Sequence, residues 1–218
     1  MVNTIFHGDH FYGIFYLPEE VFIIQHAISK AYIEFHFEAD TAFMMQNFSQ
    51  GRYIREDCPT DAYILIGDGG SLTENLGVIS VDIRDYGYAQ TGGDLFVSVP
   101  SANTLWTGNL VIAKEPAVPW LLDGHLVETC TTLQVVYDAF DAETIIVTVH
   151  GPLTNLTEIS WNIVYLTAVK IEVKQAINDG LNLEETVARV DLAGFGGYAL
   201  FGWAHRTPNV QAAYKDMK

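Results

Sequence analysis

The first ten residues of this chain contain three side chains that commonly bind metal ions. His7, Asp9 and His10 lie within four positions, directly after the short β-like run VNTIF. A further histidine, His150, follows the strand-like run ETIIVTV and precedes the loop GPLTN. Imidazole nitrogens and a carboxylate oxygen suit Zn, Fe or Mn. By spacing alone the group predicts either a metal site or a hydrogen-bonded turn, because one turn supplies only part of a coordination shell.

The elements that must position these residues predict a layered α/β or α+β domain. The segment PEEVFIIQHAISKAYIEFH predicts a strand over Val21–Gln25 that continues into a helix. Short β-type runs fill the middle of the chain, and VPSANTLW predicts a hairpin with Asn103 at its turn. Helical spacing follows in VETCTTLQVVYDAF and in TEISWNIVYLTAVKIEVKQAINDG, which ends at Gly180. Asn182 and Glu185 then have the spacing of a capping box.

Composition narrows the classes of partner. The chain has 218 residues, of which 49% are hydrophobic, and no linker or repeat divides it, so we predict one domain over 1–218. A net charge of -16 argues against nucleic acid and against anionic membranes. We find no leader peptide and no apolar run that would span a bilayer. Cys58 and Cys130 form no CxxC pattern, which favours inert thiols in a reducing, cytoplasmic setting.

Taken in order, the segments resemble the metallo-β-lactamase superfamily, whose metal motif has the form His-x-His-x-Asp-His after a strand ending in NT. VNTIFHGDH places His7, Asp9 and His10 in the last three ligand positions. YLPEEVFIIQHAIS resembles the next strand and helix, with His26 as a histidine that is not a ligand, and DAETIIVTVHGP resembles the strand before the last ligand, His150. The resemblance implies an αββα sandwich that is shortened at its N-terminus.

The departures from the family pattern fall mainly on one of its two metal sites. Ile5 stands in place of the first histidine, Gln90 in place of the middle histidine, and Asn109 in place of the bridging aspartate. In the family's arrangement Ile5 and Gln90 would line one metal site together with His7. An isoleucine donates nothing to a metal, and a neutral amide oxygen is a weaker ligand than imidazole or carboxylate. An amide in the bridging position also leaves the repulsion between two dications in place.

The other metal site keeps all of its ligands, Asp9, His10 and His150. The resemblance therefore implies one divalent ion, with Zn preferred and Fe or Mn as alternatives, and a relative that has lost its metal stays an open alternative. His7 is counted among the candidate metal ligands as well. The candidate catalytic residues are Asp9, His7 and Asn109.

The resemblance implies a hydrolase acting on a small organic ester, thioester, lactone or amide through one metal ion and an activated water. Trp120, His125 and Gln90 are the candidate substrate contacts. A cyclase, isomerase or lyase on the same fold stays an alternative, as does a binding or assembly protein without catalysis.

The family's usual first βα half has no counterpart before the metal motif. A shortened sandwich would expose a sheet face and an edge. We therefore expect a homodimer, with FYGIFYLPEEVF and FHFEADTAFMMQNF as candidate covering surfaces or, alternatively, as core.

Overall fold

Two β-sheets form the centre of the structure, a computed structural model that describes residues 1–18, 20–47, 64–115 and 117–218. The strands are β1 (Val2–Asn3), β2 (Ile24–His26), β3 (Ile64–Ile66), β4 (Ser71–Leu76), β5 (Ile79–Arg84), β6 (Phe96–Val99), β7 (Thr104–Trp106) and β8 (Ile145–Val147). The small sheet is parallel with the order β1-β2-β3. The large sheet has the order β4-β5-β6-β7-β8, antiparallel except for the parallel pair of β7 and β8.

Helices cover both sheets. They are α1 (Gly8–Phe11), α2 (Ala27–Asn47), α3 (Leu126–Ala139), α4 (Leu156–Asn178), α5 (Leu183–Arg189), α6 (Phe201–Ala204) and α7 (Val210–Met217). A π-helical turn, His205–Asn209, joins α6 to α7 and contains Pro208. Among the described helices, none is both long and apolar enough to cross a membrane.

The alternation of side chains along the strands produces the layers. In β6, Phe96 belongs to the core that packs against α3, α4 and α7, whereas its neighbour Val97 faces the other sheet together with Ile24 and Ile83. Successive residues of a strand point to opposite faces, so one strand serves two apolar interiors. Helix α2 packs on the small sheet, where Ile33 shares a core cluster with Phe6. The order is helix, sheet, sheet, helices, as the resemblance predicts.

Most local predictions are confirmed. The VPSANTLW hairpin joins β6 to β7, and Asn103 adopts a left-handed φ of 43° at its turn. Gly180, with φ 81°, follows the end of α4, and Asn182 and Glu185 form both bonds of the capping box of α5. The predicted strand over Val21–Gln25 is wrong in its bounds. Strand β2 begins at Ile24, because only from there does the chain pair with β1 and β3.

The candidate covering segments FYGIFYLPEEVF and FHFEADTAFMMQNF each contain both buried and exposed side chains. Phe11 and Phe37 are buried, whereas Tyr16 and Phe35 remain 74% and 84% exposed. The homodimer therefore stays a prediction.

Cys130 lies half-buried in α3, and burial raises the pKa of its thiol to about 11, which keeps the thiol protonated. Cys58 lies outside the described residues.

Candidate metal and substrate site

The turn after β1 places Asp9 and His10 at the edge of the small sheet. Ile5 and Phe6 are buried and fix the chain before the turn. Helix α1 begins after His7, whose carbonyl accepts the backbone N–H groups of His10 and Phe11 at 3.0 and 3.3 Å. Asp9 stands in the first turn of α1, where the helix dipole favours a carboxylate.

His150 comes from the loop after β8 and is positioned by Gly151. Gly151 has φ 140°, and a Cβ at this position would lie 2.2 Å from Cβ of Ala113. Only glycine allows this approach, and it lets the His150 carbonyl accept the N–H of Ala113 at 3.2 Å. The loop is therefore held against the segment that follows the Asn109 turn.

Asp9, His10 and His150 converge on one point. Oδ2 of Asp9 lies 3.4 Å from Nε2 of His10 and 3.5 Å from Nε2 of His150, and all three ligand atoms lie within 4.8 Å of one another. Ligand atoms around a tetrahedral ion with bonds of about 2.0–2.1 Å are separated by about 3.3 Å. The His10 Nε2 is buried and has no hydrogen-bond partner among the described residues. The donor set and its spacing fit one divalent ion.

The electrostatics of Asp9 favour its ionised form. Burial raises the pKa of the Asp9 carboxyl, but the imidazoles of His10 and His150 outweigh burial and hold the pKa well below its usual range. Asp9 therefore presents a carboxylate across the ordinary pH range. A ligand carboxylate must be ionised to bind a metal, so no proton has to be removed from this group.

His7 lies in the same cavity wall but makes a different contact. Its Nε2 donates to Oδ2 of Asp123 at 2.9 Å, and its Nδ1 lies 3.4 Å from Nδ2 of Asn109. Burial lowers the pKa of His7, but the bond to Asp123 and the charges of Asp123, Asp94 and Asp9 outweigh it, so the pKa is raised. His7 is thus a proton-bearing partner of Asp123, and the structure places it outside the three-residue convergence.

A buried isoleucine and two buried amides stand where the family has its other metal ligands. Ile5 is fully buried, and Nε2 of Gln90 donates to the carbonyl of Trp120 at 2.9 Å. Oε1 of Gln90 and Oδ1 of Asn109 are buried without a hydrogen-bond partner among the described residues. The three residues predicted to have lost ligand capacity are therefore buried, and all three lie outside the group formed by Asp9, His10 and His150.

Trp120 closes one side of the site. Its ring lies 5.6 Å from that of His150 in an edge-to-face arrangement, and 5.9 Å from the ring of Trp203 in α6. The side chain of Asn209 hydrogen-bonds the backbone on both sides of Trp120. Its Nδ2 donates to the carbonyl of Pro119 at 2.6 Å, and its Oδ1 accepts the N–H of Leu121 at 2.7 Å. The π-helical turn thus holds the loop that carries Trp120. Single π-helical turns within helices often occur at functional sites.

Asp123 and Asn209 are contacts that sequence reasoning missed. Nothing in the spacing of either residue indicates a link to His7 or Trp120. Asp94, in contrast, stabilises the turn before β6. It accepts the N–H of Thr91 at 2.7 Å, and burial raises its pKa to about 7.

His125 lies away from the cavity. It is exposed before the first turn of α3, its ring lies 4.3 Å from that of Tyr88, and its Nδ1 lies 3.6 Å from Glu128. With Glu128 and Asp216 it forms a second group of potential ligands on the surface. Of the three predicted substrate contacts, Trp120 is among the described residues that line the cavity next to Asp9 and His150, whereas His125 and Gln90 are not; their contact with substrate stays a prediction.

A third group, His26, Asp68 and Asp85, does not have the protonation that a metal site needs. Nδ1 of His26 accepts the N–H of Ile28 at 3.2 Å, so neutral His26 carries its proton on Nε2. That Nε2 is the atom that faces Asp68 at 3.5 Å. A metal-binding histidine normally donates from its second nitrogen, and this one accepts there.

A cavity of about 420 Å³ opens beside the three converging residues. His7, Asp9 and His150 form its polar end. Helix α2 and the Trp120 loop form its remaining walls, which are mostly apolar and consist of Tyr32, Asp40, Phe43, Met44, Trp120 and Leu122. The arrangement places a mainly apolar chamber next to a potential metal centre.

Comparison with solved structures identifies the fold. The chain resembles a metallo-β-lactamase from Pontibacter korlensis with a TM-score of 0.57 and 17% identity, over 76% of this chain and 67% of the other. A metallo-β-lactamase from Erythrobacter litoralis gives 0.58 and 17%, over 76% and 66%. The stereoselective inverting sec-alkylsulfatase Pisa1 from Pseudomonas sp. gives 0.69 and 14%, over 99% of this chain and 40% of its own. No protein-family model matches the sequence, and no curated protein is significantly similar to it. The chain thus spans about two thirds of the lactamases and less than half of the sulfatase.

Proposed function

We propose that this chain, which has the metallo-β-lactamase fold, is a metal-dependent hydrolase of a small organic ester, thioester, lactone or amide. One divalent ion, preferably Zn, with Fe or Mn as alternatives, would be held by Asp9, His10 and His150. The observation that carries the proposal is the spacing of their ligand atoms, 3.4 and 3.5 Å from Asp9 to the two imidazoles. The neighbouring cavity of about 420 Å³ gives space for a small substrate.

A divalent ion in such a site supplies Lewis acidity toward a carbonyl group and makes water more acidic. The side chains of this chain orient the potential ligands and enclose the cavity beside them. His7 keeps a proton on Nε2 against the carboxylate of Asp123 and lines the cavity beside Asp9. The rings of Trp120 and His150 pack edge to face at 5.6 Å, which orients the imidazole. The amide of Asn109 lies behind His7 and fixes the orientation of its ring.

The burial of Ile5 and the bond between His7 and Asp123 support a single ion. A second ion would have to separate His7 from Asp123. The same pair supports a second candidate, a non-hydrolytic isomerase or lyase, because an imidazole and carboxylate beside one Lewis acid can transfer a proton. Thioester cleavage distinguishes the two, since only the hydrolase releases a free thiol.

Metal analysis tests the proposal directly. Protein reconstituted separately with Zn, Fe and Mn and then desalted is expected to retain one ion per chain, and Asp9→Ala and His150→Ala are each expected to lose it. His125→Ala is the matched control, because this histidine belongs to the exposed group on α3. Retention in Asp9→Ala with loss in His125→Ala would assign the ion to that other group. Absence of any ion in the wild type would favour a binding or assembly protein without catalysis.

A further inference from the structure

The charge of the cavity walls restricts the substrate that can enter. The described residues that line the cavity include two carboxylates, Asp9 and Asp40, and the imidazoles of His7 and His150, but no Lys or Arg. Asp123 adds a third carboxylate directly behind His7. An ion held by Asp9 would balance the charges of that end, whereas Asp40, on helix α2, has no Lys or Arg beside it among the described residues that line the cavity.

Asp40 stands on a face of α2 that also carries aromatic side chains. Tyr32, His36, Asp40 and Met44 are spaced four residues apart, so they follow one line along the helix. The ring of Tyr32 is stacked between Phe6, at 3.7 Å, and His36, at 4.2 Å, and is fixed in position. Both faces of the Tyr32 ring are thus covered, so helix α2 presents to the cavity the edge of a fixed aromatic ring together with the carboxylate of Asp40.

Asp40 has no ion-pair partner among the described residues. Burial raises the pKa of its carboxyl, and the charge of Asp123 raises it further against the opposing effects of His36 and His7. A substrate that fills the cavity would displace water from Asp40. Removing water from an unpaired carboxylate is unfavourable unless a cation or hydrogen-bond donor replaces it.

We propose, as a deepening of the proposed function and resting on it, that the substrate carries an organic ammonium group. The ammonium would lie against Asp40, and the bond to be cleaved would lie at Asp9, His10 and His150. A cation attached to an apolar body matches a carboxylate set in mostly apolar walls, because its charge replaces the water that the carboxylate loses. Anionic esters, including sulfate esters, would be repelled by Asp40 and are expected to be poor substrates.

Binding without catalysis gives the first test. Choline and its uncharged isostere 3,3-dimethylbutan-1-ol have nearly the same shape, and their affinities for the zinc-loaded protein, which cleaves neither, can be measured by titration calorimetry. We expect choline to bind roughly tenfold more tightly, and Asp40→Asn to remove this preference. Glu38→Gln is the matched control on the exposed side of α2 and is expected to keep it. Equal affinities in the wild type, or an unchanged preference in Asp40→Asn, would overturn the proposal.

A thioester panel then separates this proposal from the hydrolase proposal. The zinc-loaded protein is assayed with acetylthiocholine, 3,3-dimethylbutyl thioacetate and 3-sulfopropyl thioacetate, which carry positive, zero and negative charge. We expect the rates to fall in that order. Cleavage without this order would refute the cationic substrate and keep the hydrolase. Selective choline binding that depends on Asp40, without cleavage of any probe, would refute the hydrolase and keep the cation site. Circular dichroism of each variant confirms that the comparison is made between folded proteins.

Discussion

Replacement of Asn209 by alanine should destabilise the protein and loosen the wall of the candidate site. Asn209 is fully buried, and its Nδ2 donates to the carbonyl of Pro119 and, at 2.9 Å, to the hydroxyl of Tyr165. Its Oδ1 accepts the N–H of Leu121. One side chain therefore hydrogen-bonds the backbone groups on both sides of Trp120, the carbonyl of Pro119 and the N–H of Leu121.

The magnitude follows from the groups left behind. In Asn209→Ala the carbonyl of Pro119 and the N–H of Leu121 lose their partner, and each orphaned buried group costs about 1–3 kcal/mol. The hydroxyl of Tyr165 keeps its bond to Nδ1 of His205 at 3.0 Å, so we add nothing for it. The free energy of unfolding should fall by about 2–6 kcal/mol, and each kcal/mol should lower Tm by about 2–4 °C in a chain of this size.

Urea unfolding followed by circular dichroism measures this loss. Asn178→Ala is the control, because this asparagine is exposed at the end of α4 and should change stability by less than about 0.5 kcal/mol. The zinc affinity of folded Asn209→Ala gives a second measurement. Because Trp120 packs on His150, a loosened Trp120 loop should weaken zinc binding. If Asn209→Ala unfolds at the same urea concentration as Asn178→Ala, the bonds to the Trp120 loop do not stabilise the protein and the reasoning is refuted.

Three further results are expected. Gly151→Ala, whose new Cβ would collide with Ala113, should weaken zinc binding through His150 and lower stability by about 2 kcal/mol or more. Gly202→Ala, in helix α6 with open space around it, should leave stability unchanged or raise it by up to about 1 kcal/mol; equal losses of stability in the two variants, measured by calorimetry, would contradict this. Burial lowers the pKa of His205, so the folded protein resists a proton that the unfolded chain accepts. The contribution of neutral His205 to stability is complete above pH 6.5 and is lost as the pH falls below that value, by up to about 1.4 kcal/mol at pH 5.5. Urea unfolding above pH 6.5 and at pH 5.5 should therefore show a smaller pH-dependent loss of stability for His205→Gln than for the wild type. Sedimentation should show a homodimer that Phe35→Asp, at an 84% exposed position, weakens; a wild-type monomer at all concentrations would end that prediction.

Local chemistry made much of the fold predictable. Asn182 and Glu185 satisfy the helix end from within their own segment, and the turn at Asn103 needs only its left-handed backbone, so both follow from the sequence. The bounds of β2 did not follow, because pairing with β1 and β3 decides where that strand begins.

The sequence by itself determined the types of the potential metal ligands and the order of the elements that carry them. Asp9 and His10 share one turn, and His150 follows a strand of branched residues, so their chemistry and the order of their elements could be stated before any coordinates. Tertiary structure decided which side chains meet. His7 faces Asp123, 116 residues away, and Asn209 reaches Leu121 across 88 residues. Such contacts depend on how sheets and helices pack, and neither residue type nor spacing encodes them, because the energy of each bond exists only after both partners have been buried together.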